Sequence, residues 1–503
     1  MTLARHYDVV IAGAGPAGCC AALRMADLGY RVALVERSPA PHSRFGESLS
    51  PGIWNILEYI GVAPDVAEAG FLHGLPARVC WENAEPQVIP SGQRGPGLMV
   101  DRACFDALLL NAACARGIDL FRPATMIHLG GEDGQWRLGI RRQSGEIVLQ
   151  SRLVFNATGR TASSARQCLP IGAETVALST LATGAGLATE TCIEALPDGW
   201  VWGSPHPGGG FRIQAFMEAS ALREPGERGL DMRLRALLTR SRLFSAMTEA
   251  KFGEPVRACR ATAYVNRDAW LPGCIQLGEA AFAIDPLSSS GVEKAMRFTL
   301  QAVIAANTLL KDADAAPLAR NFYQDRLEQA ATTHAVWARG YYAKAAVDQN
   351  RPFWQARCRS PFSLDDTYES EFAARFSAAY LARERYEENK LSLNAGSEEP
   401  AADMNIAAIW RMPVEPSPKL RVILAPCVVN DRVELRPSVD HPNLERPLAY
   451  LDGIELAALL PVLAQPRQIV QLVEIWSSRV SPANAARLVG WLLRYGLLQR
   501  SAT

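Results

Sequence analysis

The chain has 503 residues, of which 49% are hydrophobic and 21% charged, and its formal net charge at pH 7 is zero. This composition is typical of a globular protein with two or three domains. A neutral chain lacks the excess of positive charge that binding to nucleic acid or to an anionic membrane requires.

Two further absences in the sequence narrow the class of protein. No apolar run approaches the ~20 residues of a membrane span, and the first residues do not resemble a signal peptide. The eleven cysteines form no C-x-x-C pair, which is typical of reduced thiols. We therefore expect a cytoplasmic protein with no membrane anchor, no nucleic-acid partner and no metal site.

A glycine turn follows the first predicted strand, Tyr7–Ala12. Gly13, Gly15 and Gly18 have the G-x-G-x-x-G spacing. Gly13 allows the tight turn, Gly15 lets the backbone approach a pyrophosphate, and Gly18 lets the next helix pack against the strand. The spacing alone is a weak indicator, since small residues at the start of a helix often serve packing only.

The elements around this turn strengthen the interpretation. The helix predicted for Cys19–Leu28 would direct its free amide groups and the positive end of its dipole at the phosphates. The second strand, Arg31–Val35, ends at Glu36, whose carboxylate can accept hydrogen bonds from both hydroxyls of an adenosine ribose. Strand, turn, helix, strand and acid in this order predict a dinucleotide site, and Arg37 leaves FAD and NAD both open.

The middle of the chain changes from helical to strand-like periodicity. A periodic helix is predicted for Asp101–Ala115, and a later strand meets a second glycine turn at Ala157-Thr158-Gly159. Strands then cluster between residues 175 and 270, including Gly199–Trp202 and Phe211–Phe216. This grouping predicts a mixed or antiparallel sheet beside the nucleotide domain.

The last part begins with a predicted strand that ends on Gly278-Glu279. A loop leads from it into a long helix, Val292–Leu310, and helices dominate from 316 to 390. The stretch that follows is rich in Ser, Glu, Pro and Asn and is predicted to be a linker. Two strands and three helices follow from about 418, which predicts a small winged-helix-like plan.

Four spaced motifs resemble the glutathione-reductase-like FAD fold of flavoprotein monooxygenases. They are the glycine turn with Glu36, Asp101-Arg102, Ala157-Thr158-Gly159, and Gly278-Glu279 through Asp285-Pro286. The resemblance implies FAD as the cofactor, with NAD a poor second. It implies that Arg102 reaches the ribityl chain or the pyrophosphate of the flavin, and that Glu279, where the family usually has Asp, reaches the ribityl chain.

By the same resemblance, Asp285-Pro286 and Ser289–Val292 lie beside the isoalloxazine, where a helix N-terminus stabilises negative charge on the reduced ring. The alternatives are that Arg102 is a surface cation of its helix and that Asp285 is an ordinary cap. The residues expected to bind FAD are Gly13, Gly15, Ala17, Gly18, Glu36, Arg37, Arg44, Ser48, Arg102, Met126, Ala157, Thr158, Gly159, Gly278, Glu279, Asp285, Pro286, Ser289, Ser290, Gly291 and Val292.

The resemblance is to an α/β fold: a Rossmann-type FAD-binding domain with a mixed-sheet substrate domain, a helical extension and a small winged-helix-like C-terminal domain. The expected boundaries are 1–175 for the first part of the FAD-binding domain and 176–270 for the substrate domain, which is mostly strands. The second part and the helical extension take 271–390, the linker 391–417 and the C-terminal domain 418–503.

Within this superfamily the chain resembles the flavin-dependent halogenases. The motifs that carry the resemblance are Gly46-Glu47-Ser48, Trp200-x-Trp202-x-x-Pro205, Pro286–Gly291 and Arg351-Pro352-Phe353-Trp354, although Ser204 stands where the halogenase pattern has Ile. The substrate pocket expected from it consists of Trp200, Trp202, Phe216, Phe353 and Trp354. The alternative for the two strand tryptophans is the protein core, since alternate residues of a strand face the same side.

Halogenation itself is disfavoured because two groups are missing. In halogenases a lysine beyond the Gly-Glu-Ser motif carries hypohalous acid to the substrate, whereas the first lysine here is Lys251 and His73 stands near the expected place. Tryptophan halogenases also carry a Glu where Ser288 stands. A side-chain amine of Lys251 or Lys294 between the flavin and a small closed cavity would contradict this interpretation.

With halogenation disfavoured, the remaining function is an oxidation with dioxygen. Reduced FAD adds dioxygen at C4a, and the distal oxygen of the hydroperoxide can hydroxylate an electron-rich aromatic ring while the protein excludes water and moves protons. We expect His73 to transfer protons, with an ordinary polar contact as the alternative. Glu47 either takes part or only holds its loop. The sequence has no second G-x-G-x-x-G for NADPH, so we expect a separate flavin reductase to supply reduced FAD.

The C-terminal residues faintly resemble small peptide-recognition modules, and a domain that only covers the active site is the alternative. A lysine-poor, halogenase-like chain with such a module resembles the flavoprotein peptidyl-tryptophan dihydroxylases of tryptophylquinone biogenesis. This implies a protein or peptide substrate that carries the target Trp, and a radical-SAM partner. The other hypotheses are a hydroxylase of a small or carrier-bound phenol, pyrrole or indole in secondary metabolism, and a non-catalytic flavoprotein scaffold.

Overall fold

The computed structural model describes residues 5–83, 85–95, 97–132, 134–162, 167–184, 186–222, 229–362, 370–396 and 410–501. The chain forms two compact units. The larger comprises Met1–Ala313 and Tyr323–Tyr380, and the smaller comprises Asp314–Phe322 and Leu381–Thr503. Among the described residues, no helix combines the length and the apolar character needed to cross a membrane.

The α-helices of the described residues are α1 Pro16–Asp27, α2 Ile53–Tyr59, α3 Ala63–Glu68, α4 Ser91–Arg94, α5 Arg102–Ala115, α6 Leu230–Thr239, α7 Gly291–Lys311, α8 Ala316–Tyr342, α9 Pro352–Cys358, α10 Glu371–Gly396, α11 Ile469–Trp476 and α12 Pro482–Arg494. The strands of the large sheet are β1 Arg5–Ala12, β2 Val32–Val35, β8 Asp119–Phe121, β9 Ala124–Glu132, β10 Gln135–Arg142, β11 Gly145–Asn156, β20 Trp270–Leu271 and β21 Cys274–Gln276. Those of the second sheet are β5 Ala77–Cys80, β6 Gln87–Ile89, β13 Thr175–Thr183, β14 Thr191–Leu196, β15 Gly199–Pro205, β16 Phe211–Glu218, β17 Lys251–Phe252 and β18 Arg257–Arg260.

Short strands complete the larger unit: β3 Ser48–Leu49, β4 Leu72–His73, β7 Leu98–Met99, β12 Cys168–Pro170, β19 Tyr264–Asn266 and β22 Phe282–Ala283. The strands of the smaller unit are β23 Pro413–Pro416, β24 Arg421–Val429, β25 Arg432–Asp440, β26 Tyr450–Leu451, β27 Ile454–Glu455, β28 Arg467–Gln468 and β29 Leu498–Arg500.

The large sheet confirms the predicted Rossmann-type core. Its order is β20-β21-β11-β1-β2-β8, with β10 paired to β11 and β9 paired to β10, and β1 pairs in parallel with both β2 and β11. Val9, Val10 and Ile11 of β1 are fully buried, as expected for a central parallel strand whose two faces are both covered. This arrangement brings the glycine turn to the carboxyl end of β1.

The second sheet is the predicted mixed sheet, and both of its faces are covered. Its order is β17-β13-β16-β15-β14-β5-β6, and all of its pairs are antiparallel except β5 with β14. Alternate residues such as Val201, Ile213 and Ala215 turn to one side and form a hydrophobic core with α6. Residues in the other alternation, Trp200 and Phe216 among them, turn to the opposite side.

The predicted linker at 391–417 differs from the structure at both of its ends. Helix α10 continues to Gly396, and strand β23 occupies Pro413–Pro416. Residues 397–409 lie outside the described part of the chain. Composition could not show these limits, because α10 ends in residues that are equally common in loops, and β23 is held by pairing with β28 and β29.

The smaller unit contains the hairpin β24–β25, the sheet β28-β23-β29 and helices α11 and α12 around one hydrophobic core. Two of its three predicted helices are present as α11 and α12. The third, predicted over Gly453–Leu463, is replaced by β27 and a short 3₁₀ helix, Leu460–Ala464. Asp452 and Gly453 have φ angles of 48° and 78°, so a left-handed turn interrupts that pattern.

Candidate active site

A cavity of about 380 Å³ opens in the larger unit. Its wall is formed by the glycine turn, the loop before β3, the start of α7 and one face of the second sheet. The predicted site residues on this wall are Gly15, Ala17, Arg44, Glu47, Ser48, Arg102, Ala157, Gly159, Trp200, Trp202, Phe216, Gly278, Glu279, Asp285, Pro286, Ser289, Gly291 and Val292.

Ten predicted residues do not line this cavity: Gly13, Gly18, Glu36, Arg37, His73, Met126, Thr158, Ser290, Phe353 and Trp354. Gly13, Gly18 and Glu36 shape the turn from behind. Arg37 is exposed, and Met126 packs against the core of the large sheet. The Thr158 hydroxyl donates to Asn156, and the hydroxyls of Ser290 and Ser288 are hydrogen-bonded to each other.

The three glycines of the turn have distinct surroundings. Gly13 has a φ of 100°, and a Cβ added there would lie 2.4 Å from the carbonyl oxygen of Ala157. A Cβ at Gly18 would lie 1.9 Å from the carbonyl oxygen of Gly13. At Gly15 a Cβ would meet only Arg44, whose Nη1 would be 3.8 Å away, so the backbone of Gly15 is open to the cavity. The turn is a cradle that a side chain would fill.

Glu36 fixes this turn through its carboxylate. One oxygen accepts a hydrogen bond from the amide of Ala14, and the other accepts one from Ser38, both at 2.8 Å. Burial raises the pKa of Glu36, but these hydrogen bonds and the charge of Arg44 outweigh it and hold the pKa below its ordinary value. Glu36 is therefore an ionised acid at the end of β2.

Arg102 is buried, and much of its hydrogen-bonding capacity is used within the protein. Its guanidinium pairs with Asp106 at 3.0 Å and donates to the carbonyl oxygens of Phe45 and Gly46. The alternative of a surface cation is therefore wrong. Arg102 orders the loop that carries Glu47, and Gly46 takes the φ of 89° that this loop needs.

Asp285 is buried and acts as the cap of a short 3₁₀ turn, as the alternative interpretation held. It accepts hydrogen bonds from the amide of Leu287 and the hydroxyl of Tyr342, both at 3.0 Å. Burial raises the pKa of Asp285 even though these donors and Arg357 oppose the rise. Because Asp285 also lines the cavity, the cap and the cavity-facing position are combined in one residue.

The N-terminus of α7 opens into the same cavity. Gly291 and Val292 line it, and no side chain caps the helix at Ser290. Helix α1 likewise begins at the wall without a side-chain cap at Gly15. Two helix N-termini with free amide groups are suited to bind anionic groups.

Glu279 pairs across the cavity wall with Arg160 at 2.8 Å. Burial lowers the pKa of Arg160, but the charge and hydrogen bond of Glu279 outweigh it, so that pKa is raised. Arg160 was not among the predicted residues, although it directly follows the second glycine turn. The longer side chain of Glu279, which departs from the family's Asp, is engaged in this pair.

The two strand tryptophans lie on the wall and in the core at once. In the register of β15 and β16, Trp200 faces Phe216 and Trp202 faces Gln214, and all four line the cavity. The rings of Trp200 and Phe216 are stacked with centroids 3.9 Å apart. Phe353 and Trp354 pack behind this face in the same hydrophobic cluster, where the Trp354 indole donates to the carbonyl oxygen of Leu196.

A charged cluster that sequence reasoning missed lies behind Glu47. Arg212 pairs with Glu47 at 2.9 Å, and the Nε2 of His206 lies 3.4 Å from the same carboxylate. All three side chains are almost completely buried. The Nδ1 of His206 accepts from the amide of Gly208, so the neutral ring carries its proton on Nε2, toward Glu47. We call these three residues the Glu47 cluster.

His73 lies on β4 with an exposed side chain and is not on the cavity wall. Its place along the sequence is near that of the halogenase lysine, but the pairing of β4 with β7 turns it to solvent. Lys251 is exposed on β17. Lys294, in the first turn of α7, is half-buried and lines the cavity.

Comparison with known proteins gives the class. The profile of the tryptophan halogenase family matches residues 83–392, and that of an FAD-binding domain matches residues 8–56. The first covers more than half of the chain. The chain belongs to the tryptophan halogenase family and is an FAD-dependent oxidoreductase.

Three proteins show the range of its relatives. Tryptophan 2-halogenase of Chondromyces crocatus is 26% identical over 64% of this chain, which spans 65% of that protein, less than two thirds of its length. The structure of the peptidyl tryptophan dihydroxylase QhpG, essential for tryptophylquinone cofactor biogenesis, is similar with a TM-score of 0.71 at 25% identity, over 98% of this chain and 100% of that one. The flavin-dependent halogenase CmlS is similar at 0.74 but only 19% identity, over 99% and 96% of the two chains, which shows the fold alone.

The residues present fit FAD. The open backbone at Gly15 and the uncapped start of α1 suit the pyrophosphate, with Arg44 beside them. Glu36 stands at the end of β2, and the uncapped start of α7 suits the ring system. FAD is the cofactor of this protein.

Proposed function

We propose that the protein hydroxylates the aromatic ring of a tryptophan side chain within a peptide or protein, with dioxygen and reduced FAD. When bound, reduced FAD activates dioxygen for transfer to the ring. The observation that carries the proposal is a buried, arginine-paired carboxylate, Glu47, on the same wall as a face of aromatic side chains. Similarity to QhpG along both whole chains supports the peptidyl substrate.

In this proposal Glu47 receives the proton that the ring releases when oxygen replaces hydrogen. The ion pair with Arg212 places a positive charge against the Glu47 carboxylate, and burial of the pair removes competing water. His206, with its proton on Nε2, orients the carboxylate. Glu47 thus replaces His73, whose exposed position does not favour it as the proton-transfer residue.

The aromatic face orients the substrate ring and excludes water. Trp200 is fixed by its stack on Phe216, and Trp202 lies two residues further along the same strand face. Edge and face contacts between such rings and an indole add about 0.5–1.5 kcal/mol per pair beyond buried area. The proposal also includes reduced FAD from a separate flavin reductase and a radical-SAM enzyme acting on the same protein substrate.

The test supplies chemically reduced FAD, air and a tryptophan-containing peptide to the protein. We expect oxygen consumption that depends on the peptide, and a peptide mass increased by oxygen. Free indoles, phenols and pyrroles are assayed in parallel. Efficient oxidation of a free aromatic with no reaction of any peptide would favour a role in secondary metabolism, and no substrate-dependent oxygen consumption would favour a scaffold.

A second candidate, halogenation, is favoured by one observation. Lys294 lines the cavity, and a lysine is what the sequence analysis held to be missing beyond the Gly-Glu-Ser motif. The same assay with bromide added tests it, since a brominated product that disappears in Lys294→Met would establish this candidate.

A further inference from the structure

A row of four aromatic rings connects the flavin cavity with the protein surface. Trp200 lines the cavity, and its ring centroid lies 6.0 Å from that of Trp81. Trp81 lies 5.3 Å from Tyr341, which lies 5.4 Å from Trp337. Trp81 and Trp200 are 2% and 3% exposed, whereas Trp337 is 44% exposed. We call these four residues the aromatic row.

The row is held rigidly by the fold. Trp337 and Tyr341 are four residues apart in α8, so they lie one above the other on its surface, and their rings stack with an interplanar angle of 25°. Trp81 directly follows β5, and its indole N–H donates to the carbonyl oxygen of Tyr341 at 2.9 Å. That hydrogen bond ties α8 to the second sheet at the point where the rings meet.

Core packing explains only part of this arrangement. Burial accounts for Trp81 and Trp200, which belong to one hydrophobic cluster. It does not account for Trp337, which leaves nearly half of a large apolar side chain in solvent at the end of the row. Every member is Trp or Tyr, the two aromatic side chains that most readily give up an electron.

We propose that the aromatic row carries single electrons from Trp337 to an oxidised Trp200. The row requires bound FAD but not the hydroxylation proposed above. When light excites oxidised FAD, Trp200 gives it one electron. Trp81 then reduces Trp200, and Tyr341, which is half-buried, reduces Trp81 and passes its phenol proton to water. Trp337 then reduces Tyr341, which takes a proton back from water.

The oxidation therefore ends at the surface. Oxidised Trp337 loses its indole proton to water, and a thiol in solution returns one hydrogen atom, its electron and proton together, while the thiol itself becomes oxidised. An oxidation that would damage the cavity wall is in this way moved to a position where a cellular reductant can repair it.

The test uses the FAD-bound protein with the flavin oxidised, pulsed light and transient absorption. The wild type is expected to show a long-lived tryptophan radical that added thiol removes. Trp337→Phe is expected to shorten the lifetime severalfold and to abolish the response to thiol, while Trp337→Tyr retains both. The matched control is Trp491→Phe, since the ring of Trp491 also lies against that of a tyrosine four residues on, with centroids 4.7 Å apart, but in the smaller unit.

Equal radical lifetimes and equal thiol responses in wild type, Trp337→Phe and Trp491→Phe would overturn the proposal. A second measurement needs no variant. After illumination in air without thiol, we expect mass spectrometry of the wild type to find oxygen added mainly at Trp337. Oxidation confined to Trp200 or Trp81 would contradict the row, whatever the outcome of the hydroxylation assay.

Discussion

The glycine turn and the Glu47 cluster belong to the same cavity wall but are built in different ways. The turn is one continuous segment, Gly13–Gly18, and backbone contacts fix its positions. The cluster joins Glu47, His206 and Arg212, which lie up to 165 residues apart along the chain. The difference teaches that the glycine turn is local in sequence, whereas the Glu47 cluster is brought together by tertiary structure.

The glycine turn and the Glu47 cluster also differ in how a substitution would destabilise them. A buried ion pair that loses one partner leaves an unpaired charge, which typically costs about 3–5 kcal/mol. The turn contains no charge, and its vulnerability is steric. Substitutions in the two parts should therefore fail in different assays, one in turnover and the other in FAD binding.

Glu47→Gln is expected to have the largest effect. The amide keeps the shape of the side chain but cannot receive a proton, so the hydroxylation rate should fall by about 10²–10⁴-fold with FAD still bound. The measurement is single-turnover product formation. Glu254→Gln is the control, since Glu254 also pairs with Arg212 at 2.9 Å but does not line the cavity. Equal losses in both variants would show that Glu47 only holds its loop.

Gly13→Ala is expected to weaken FAD binding with little direct effect on the Glu47 cluster. The added carbon meets the Ala157 carbonyl at a φ of 100°, and such strain costs about 1–3 kcal/mol, or roughly 5- to 150-fold in affinity. Titration of the apoprotein with FAD measures it. In Gly29→Ala, where φ is 85° and no atom lies within 4 Å, affinity should be unchanged. A normal affinity in Gly13→Ala would refute the steric account.

The next prediction concerns His334, a buried histidine that belongs neither to the glycine turn nor to the Glu47 cluster. Burial, aided by the charge of Lys294, lowers the pKa of His334 to about 4. The ordinary histidine pKa is about 6.5, so between these values the unfolded chain binds more protons. The stability due to neutral His334 is complete above pH 6.5 and is lost as the pH falls toward 4.

At pH 5 this loss amounts to about 2 kcal/mol. Denaturant unfolding at pH 7 and pH 5 should show it in the wild type, and His334→Gln should lack that part of the acid sensitivity. His73→Gln, at an exposed histidine, should behave like the wild type. If His334→Gln loses as much stability at pH 5 as the wild type, the buried neutral imidazole is not the cause.

Glu279→Asp is expected to have the smallest effect. The shorter side chain loses the ion pair with Arg160. Because the two side chains of that pair are 33% and 46% exposed, its loss should lower FAD affinity by at most about fivefold. Glu279→Gln, which keeps the length and loses the charge, is the comparison. A loss in either variant as large as that of Gly13→Ala would mean that the carboxylate itself contacts FAD.

The sequence predicted what depends on neighbouring residues. The glycine turn, Glu36 and the alternation of Trp200 and Trp202 follow from spacing and strand period, and the structure has them as expected. His73 was assigned by its distance along the chain from the Gly-Glu-Ser motif, but strand pairing turned it outward. Arg212 and His206 carried no local signal, since only the register of β16 and the turn after β15 bring them to Glu47.

Lys294 is another residue whose position in the site could not be predicted from neighbouring residues in the sequence. The absence of a lysine was judged from one segment of the sequence, whereas the start of α7 contributes a lysine to the cavity wall from a different segment. Motif spacing predicts which backbone cradles the cofactor. It does not predict which charged side chains face the substrate.

The most direct test of hydroxylation against halogenation is a single competition assay. The protein receives reduced FAD, isotopically labelled dioxygen, bromide and a tryptophan-containing peptide, and the product is analysed by mass spectrometry. The account predicts labelled oxygen on the tryptophan ring, no bromine, and the same product from Lys294→Met. A brominated ring formed by the wild type and lost in Lys294→Met would contradict it.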